Sequence, residues 1–156
     1  MYFSSKEELF KAVVRESIVP LLGEAEGVIE QFAGSSEDLF RIIITTWWEN
    51  IGASKLSGLP KLMTAEAGNF PELAKFYQEE VVDRGEKLVT TMLQRGIARG
   101  EIREMDLEVA PKILIAPIIM MMMWKHSNGV CQVEPEKLGA YLDFYIDMAL
   151  RSILVK

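Results

Sequence analysis

The stretch Ile113-Leu114-Ile115-Ala116-Pro117-Ile118-Ile119-Met120-Met121-Met122-Met123-Trp124 carries no charge, and its reading decides the fold. A helix on the outside of a small domain needs an apolar stripe on one side only. A helix that is apolar all round has to be covered all round, by protein or by lipid. At about 1.5 Å of rise per residue these twelve residues span about 18 Å, against about 30 Å of bilayer hydrocarbon. Lys112 and Lys125 bracket the run. The stretch therefore reads as a helix with its own core on one face and a second subunit or a ligand cavity on the other. No membrane partner is expected. Pro117 removes one backbone bond in the middle and predicts a kink.

Outward from this stretch the pattern stays helical. Asp106 is the expected N-cap, and Asn128-Gly129 ends the helix just after His126. Glu134-Pro135-Glu136 opens a last helix to about Leu154, with acid in its first turn as the macrodipole favours. Its apolar set leaves only Asp143, Asp147 and Arg151 as a polar stripe, so it too has more apolar surface than one core can use. Toward the N-terminus, Pro71 to about Arg99 reads as one long helix stopped by Gly100. Gly85 and Gly96 lie inside it, each costing about 1 kcal/mol against Ala, which predicts close packing at both points. Gly58-Leu59-Pro60 is a turn before a short helix, Lys61 to Glu66.

Glu37 to Ile51 presents a broad apolar face, with Ser35 as its cap and Gly52 beyond its end. Trp47 and Trp48 are adjacent there and point about 100° apart. Ser5 and Glu8 form an S-x-x-E capping box, and the first helix runs from there to about Phe32 through Pro20. No segment reads as a strand. The fold class is all-α, six helices with short connections.

Length and charge narrow the function. At 156 residues the chain fits one domain with a real core. A net charge of −6 lacks the basic footprint that nucleic acid demands. The single cysteine, Cys131, excludes an internal disulfide and points to a reducing, cytoplasmic setting. Nine methionines and three tryptophans supply soft, adaptable apolar surface suited to a cavity as well as to a core.

Catalytic signals are sparse. The sole histidine, His126, stands near a helix end, where it can meet the last carbonyls and favour the dipole. It has no second histidine at metal spacing, and the chain has no nucleophile elbow, phosphate loop or dinucleotide fingerprint. Glu7-Glu8 and Glu79-Glu80 read as solvated faces, while Glu49 and Glu66 sit beside apolar residues. The expectation is no enzyme, no metal and no cofactor.

Two segments resemble the TetR family of bacterial transcriptional repressors. Tyr2-Phe3-Ser4-Ser5-Lys6-Glu7-Glu8-Leu9-Phe10 is similar to the family's Y-F-x-S-K-E-x-L signature, where the DNA-reading helix hands over to the regulatory domain. Gly96-Ile97-Ala98-Arg99-Gly100-Glu101-Ile102-Arg103 is similar to the G-x-x-x-G-E-[IL]-R that closes the long central helix in many members. Helix order and lengths match from Ser5 to Leu154.

The resemblance implies that 1–4 is the remnant of a helix-turn-helix module and 5–156 a ligand-binding and dimerisation domain. Met1 then reads as the start of a shortened chain or a misassigned start. Operator DNA would be met only through the absent module, with Lys6 near a phosphate in the full-length protein. The resemblance also implies a homodimer through a four-helix interface of the last two helices. Leu142, Tyr145, Met148, Ala149 and Ile153 fit that role, together with outward members of 113–124. It implies a cavity for a hydrophobic or aromatic effector, for which Trp47, Trp48, Met63, Phe76, Tyr77, Met120 and Met123 are the candidates. The alternative is a stand-alone helical protein–protein interaction domain whose Met-rich surface forms an adaptable groove.

Overall fold

The structure, a computed structural model, describes residues 5–156. The remnant expected at 1–4 lies outside the described residues. Six helical rods follow one another. The first, 6–31, consists of α1 (Lys6–Val13), a wide π turn (Val14–Ile18) and α2 (Val19–Gln31). Ser5 caps it as expected, with Oγ accepting the Glu8 N–H at 3.1 Å. Pro20 has no N–H to donate, and its ring would meet the carbonyl four residues back. The turn before it widens, and Val19 donates to Val14 instead.

The second rod is α3 (Ser36–Trp47) with a second π turn (Trp48–Gly52), capped by Ser35 Oγ on the Asp38 N–H at 3.1 Å. A 3-10 turn (Lys55–Gly58) leads into α4 (Leu59–Glu66). The expected long helix is α5 (Pro71–Tyr77), a third π turn (Gln78–Val82) and α6 (Asp83–Ala98), stopped by Gly100 at φ +74°. Then come α7 (Ala110–Lys125) and α8 (Leu138–Ile153), the latter entered through a 3-10 turn (Pro135–Lys137).

Two local expectations need correction. Asp106 does not cap α7: its Oδ1 accepts the Glu108 N–H at 2.9 Å, and the turn it closes precedes the helix. Gly96 packs closely, but Gly85 faces open space. The chain also makes one isolated antiparallel bridge, Ile102 with Leu154, in which Arg103 N–H meets Ile153 O and Val155 N–H meets Glu101 O, each at 2.9 Å. It ties the chain's end to the loop after α6.

Two apolar clusters form the interior. The larger joins α3, α6, α7 and α8 around Leu39, Phe40, Met92 and Leu93. The smaller gathers Val14, Ile18, Ile51, Leu59 and Met122. All three π turns contribute to the smaller one, through Val14 and Ile18, Ile51, and the half-buried Val81. α7 serves both clusters, Leu114, Ile118 and Met121 in the larger and Met122 in the smaller. Pro117 lies inside a continuous α7, and one turn earlier the Leu114 carbonyl accepts the Tyr145 hydroxyl.

Candidate functional site

The smaller cluster opens onto a cleft of about 500 Å³ between α1, the 3-10 turn, α4 and the end of α7. Val13, Leu56 and Leu59 belong to both, so cleft and cluster are continuous. Leu62 and Ala65 extend the apolar wall, while Lys55, Lys61 and His126 supply its polar groups.

Local sequence fixes this corner. Ser54 caps the 3-10 turn, accepting the Leu56 N–H at 3.1 Å and donating to Ile51 O at 2.9 Å. That places Ser57 inward, fully buried. Ser57 Oγ donates to Ser54 O at 2.7 Å and lies 2.8 Å from His126 Nε2. One hydroxyl proton cannot serve both partners, so when Ser57 donates to Ser54 O the His126 tautomer that fits carries its proton on Nε2. Its role is thus not the helix-end contact expected of it. Burial first, then the charges of Lys125 and Lys61, hold its pKa below the ordinary 6.5. Lys61 donates to the His126 carbonyl, and Lys125 to Gly52 O at 3.2 Å. Buried and already committed as a donor, Ser57 presents no nucleophile to a substrate. Among the described residues no three His, Cys, Asp or Glu side chains are placed to hold a metal ion.

The structure brings together three of the seven residues expected around an effector. Trp47, Phe76 and Tyr77 all pack on the smaller cluster, with Met122 and Ile119 from α7. Phe76 lies under two cations of the first rod, Lys11 at 5.8 Å and Arg15 at 5.0 Å from the ring centre. Burial pushes the Tyr77 hydroxyl up to about 12, and it makes no hydrogen bond among the described residues. Trp48 sits 6.1 Å from Trp47, tilted by 46°, and turns toward the larger cluster. A Cβ at Gly52 would come 2.6 Å from Trp48 Cζ3, so that indole position requires a glycine. Met63 is buried on α4, Met123 is half-buried and Met120 is exposed. Glu49 is exposed, while Glu66 pairs with Lys6 at 3.1 Å.

The residues that line the cleft were not among those expected from sequence. The only local signal was the Gly58-Leu59-Pro60 turn, and the partner that completes the corner, His126, comes from 69 residues beyond Ser57.

The outer faces of the last two helices form the second feature. On α8, Phe144 is 66% exposed, Met148 56% and Tyr141 50%. On α7, Ile113, Met120 and Trp124 are exposed at matching helical spacing. Of the five expected interface residues only Met148 belongs to this face. Leu142, Ala149 and Ile153 are buried in the larger cluster, and Tyr145 is half-buried with its hydroxyl on Leu114 O. The correction has a simple origin: α8 is apolar on both faces, so periodicity alone could not say which row turns inward.

A six-rod, all-helical domain with a central apolar cluster and a doubly apolar final pair has the architecture of a TetR-type regulatory domain. Residues 33–130 match the family described as tetracyclin repressor-like, C-terminal domain, and the chain belongs to that family. Its fold also matches the solved structure of a protein from Mesorhizobium loti assigned to the TetR-family transcriptional regulators. That match has a TM-score of 0.76 and 21% identity, covering 98% of this chain and 77% of the other. No curated protein matches the sequence. Among the described residues no helix is long and apolar enough to cross a membrane.

Proposed function

We propose that this domain senses an apolar or aromatic small molecule and dimerises, as part of a TetR-type transcriptional repressor acting in the cytoplasm. The observation that carries this reading is the exposed apolar row on α7 and α8, helices that already bury their opposite faces in the domain's own core. Surface of that kind marks an interaction site. Two copies related by a two-fold axis would cover it with four helices. The effector would enter at Val13 and Leu59 and reach Trp47, Phe76, Tyr77 and Met122.

Binding there displaces residues of the first rod. A DNA-reading module preceding Ser5 would feel that displacement, and ligand and operator would then oppose each other by linkage. In such a protein Lys6 would trade Glu66 for a DNA phosphate.

Native mass spectrometry of the parent and of Phe144→Glu tests the dimer. The parent is expected to be dimeric at micromolar concentration and the variant monomeric with unchanged helix content. A monomeric parent would overturn the interface.

A further inference from the structure

The cleft is basic in a chain that is acidic as a whole. The protein carries 23 acidic and 17 basic side chains, yet none of the residues lining the cleft is acidic. Lys55 and Lys61 stand on it, with Lys125 and His126 from the end of α7 beside them. Several cations elsewhere pair with carboxylates, among them Lys6 with Glu66, Arg84 with Glu26, Lys112 with Glu86 and Arg151 with Asp147. Here Lys61 and Lys125 meet only backbone carbonyls, and Lys55 has no recorded partner among the described residues. Burial lowers the basicity of His126 most, and the charges of Lys125 and Lys61 add to it. Around these groups the wall is apolar, and about 500 Å³ lies in the range that takes small organic ligands.

We infer that the cleft binds an amphiphilic carboxylate: its anionic head between Lys55 and Lys61, its apolar body along Val13, Leu56, Leu59 and Leu62. An ammonium that already gives one hydrogen to a carbonyl keeps two more, so Lys61 can hold the head without leaving His126. Lysine meets an anion as a point charge and sets no bidentate geometry. Selectivity therefore comes from the combination of one negative charge with apolar bulk. The inference rests on the effector-sensing reading and adds the chemical class of the effector.

His126 is the only histidine, so its ring resonances report the cleft without assignment of the rest of the spectrum. The experiment titrates the full chain with decanoate, decanol and decyltrimethylammonium, each below micelle formation, and follows those resonances together with affinity by calorimetry. Decanoate should shift the His126 signals and bind at least about tenfold tighter than decanol, a difference of about 1.4 kcal/mol. The cationic amphiphile should bind weakest. Lys55→Gln, at an exposed position, and Lys61→Gln should each narrow the decanoate preference while leaving decanol unchanged.

Equal affinity for decanoate and decanol, with both shifting His126, overturns the anionic class and leaves the cleft as the sensing site. Binding that leaves His126 unmoved overturns the cleft and sends the effector to another cavity. No binding by any of the three overturns this proposal and removes the cleft from the sensing reading. The dimer is judged separately by mass.

Discussion

Two glycines in one helix should respond to the same substitution with opposite signs. In α6, a Cβ at Gly96 would lie 2.5 Å from Ile102 Cγ1 and 2.9 Å from Ser36 Oγ, whereas one at Gly85 would meet nothing within 4 Å. Ile102 has no room to retreat. It is 3% exposed, its N–H is held by Gly96 O at 3.1 Å, and its backbone bridges to Leu154. Forcing a methyl into such a site costs about 1–3 kcal/mol, offset by about 1 kcal/mol of helix propensity. Gly96→Ala should therefore lose up to about 2 kcal/mol net, and Gly85→Ala should gain about 0.5–1 kcal/mol. In a chain of this size 1 kcal/mol moves Tm by about 2–4 °C, so the two variants should separate by about 1–12 °C. Thermal and urea denaturation at one fixed protein concentration would measure this, since assembly itself shifts Tm. A Gly96→Ala protein melting at or above the parent would refute the packing argument.

The other predictions are shorter. Trp47→Ala should weaken effector binding by calorimetry while the dimer persists by native mass spectrometry; loss of the dimer instead would make Trp47 structural. Tyr145→Phe removes the hydrogen bond to Leu114 O beside Pro117 and should cost about 1 kcal/mol in urea denaturation. His126 binds its proton less readily in the fold than in the unfolded chain. Its neutral form thus supports stability above about pH 6.5, and that support is lost as pH falls through the lowered folded value. The stability gap between parent and His126→Asn should accordingly shrink from pH 7.5 to pH 5; a constant or growing gap would contradict the burial argument.

The helices were legible because their signals are local. Ser5 and Ser35 each cap through a side-chain bond three residues ahead, and Gly100 stops α6 through a left-handed backbone. Element order followed from such signals, and the family from the resemblance carried by residues 2–10 and 96–103. The π turns were not legible. Pro20 explains the first, but no proline or other local signal marks the turns at 48–52 and 78–82. Face assignment on α8 failed for a related reason: a helix apolar on two sides gives no direction to its periodicity. The cleft eluded sequence reading because its parts come from four elements. Its charged residues look ordinary until His126 and Lys61 are brought together across 65 residues.

The first rod is anchored unevenly, and this bears on how a signal could pass through it. α1 has no buried residue and is held by Lys6 on Glu66 and by Lys11 beside Phe76. Beyond the π turn, α2 packs on α6 and is tied there by Arg84 to Glu26 at 2.7 Å. Val14 and Ile18 are buried at the turn between these halves, next to the cleft wall at Val13. Exposed ion pairs and cation–π contacts contribute about 1 kcal/mol or less each. A ligand with micromolar affinity brings about 8 kcal/mol to the complex, ample to exchange such contacts if it favours one arrangement over another. The half of the rod nearest Ser5 is thus the half that can move, and the π turn, which already departs from α geometry, is where the motion would be absorbed. In the proposed function, coupling an effector to a DNA module would require no rearrangement of the larger cluster, only a change in how α1 lies on α4 and α5.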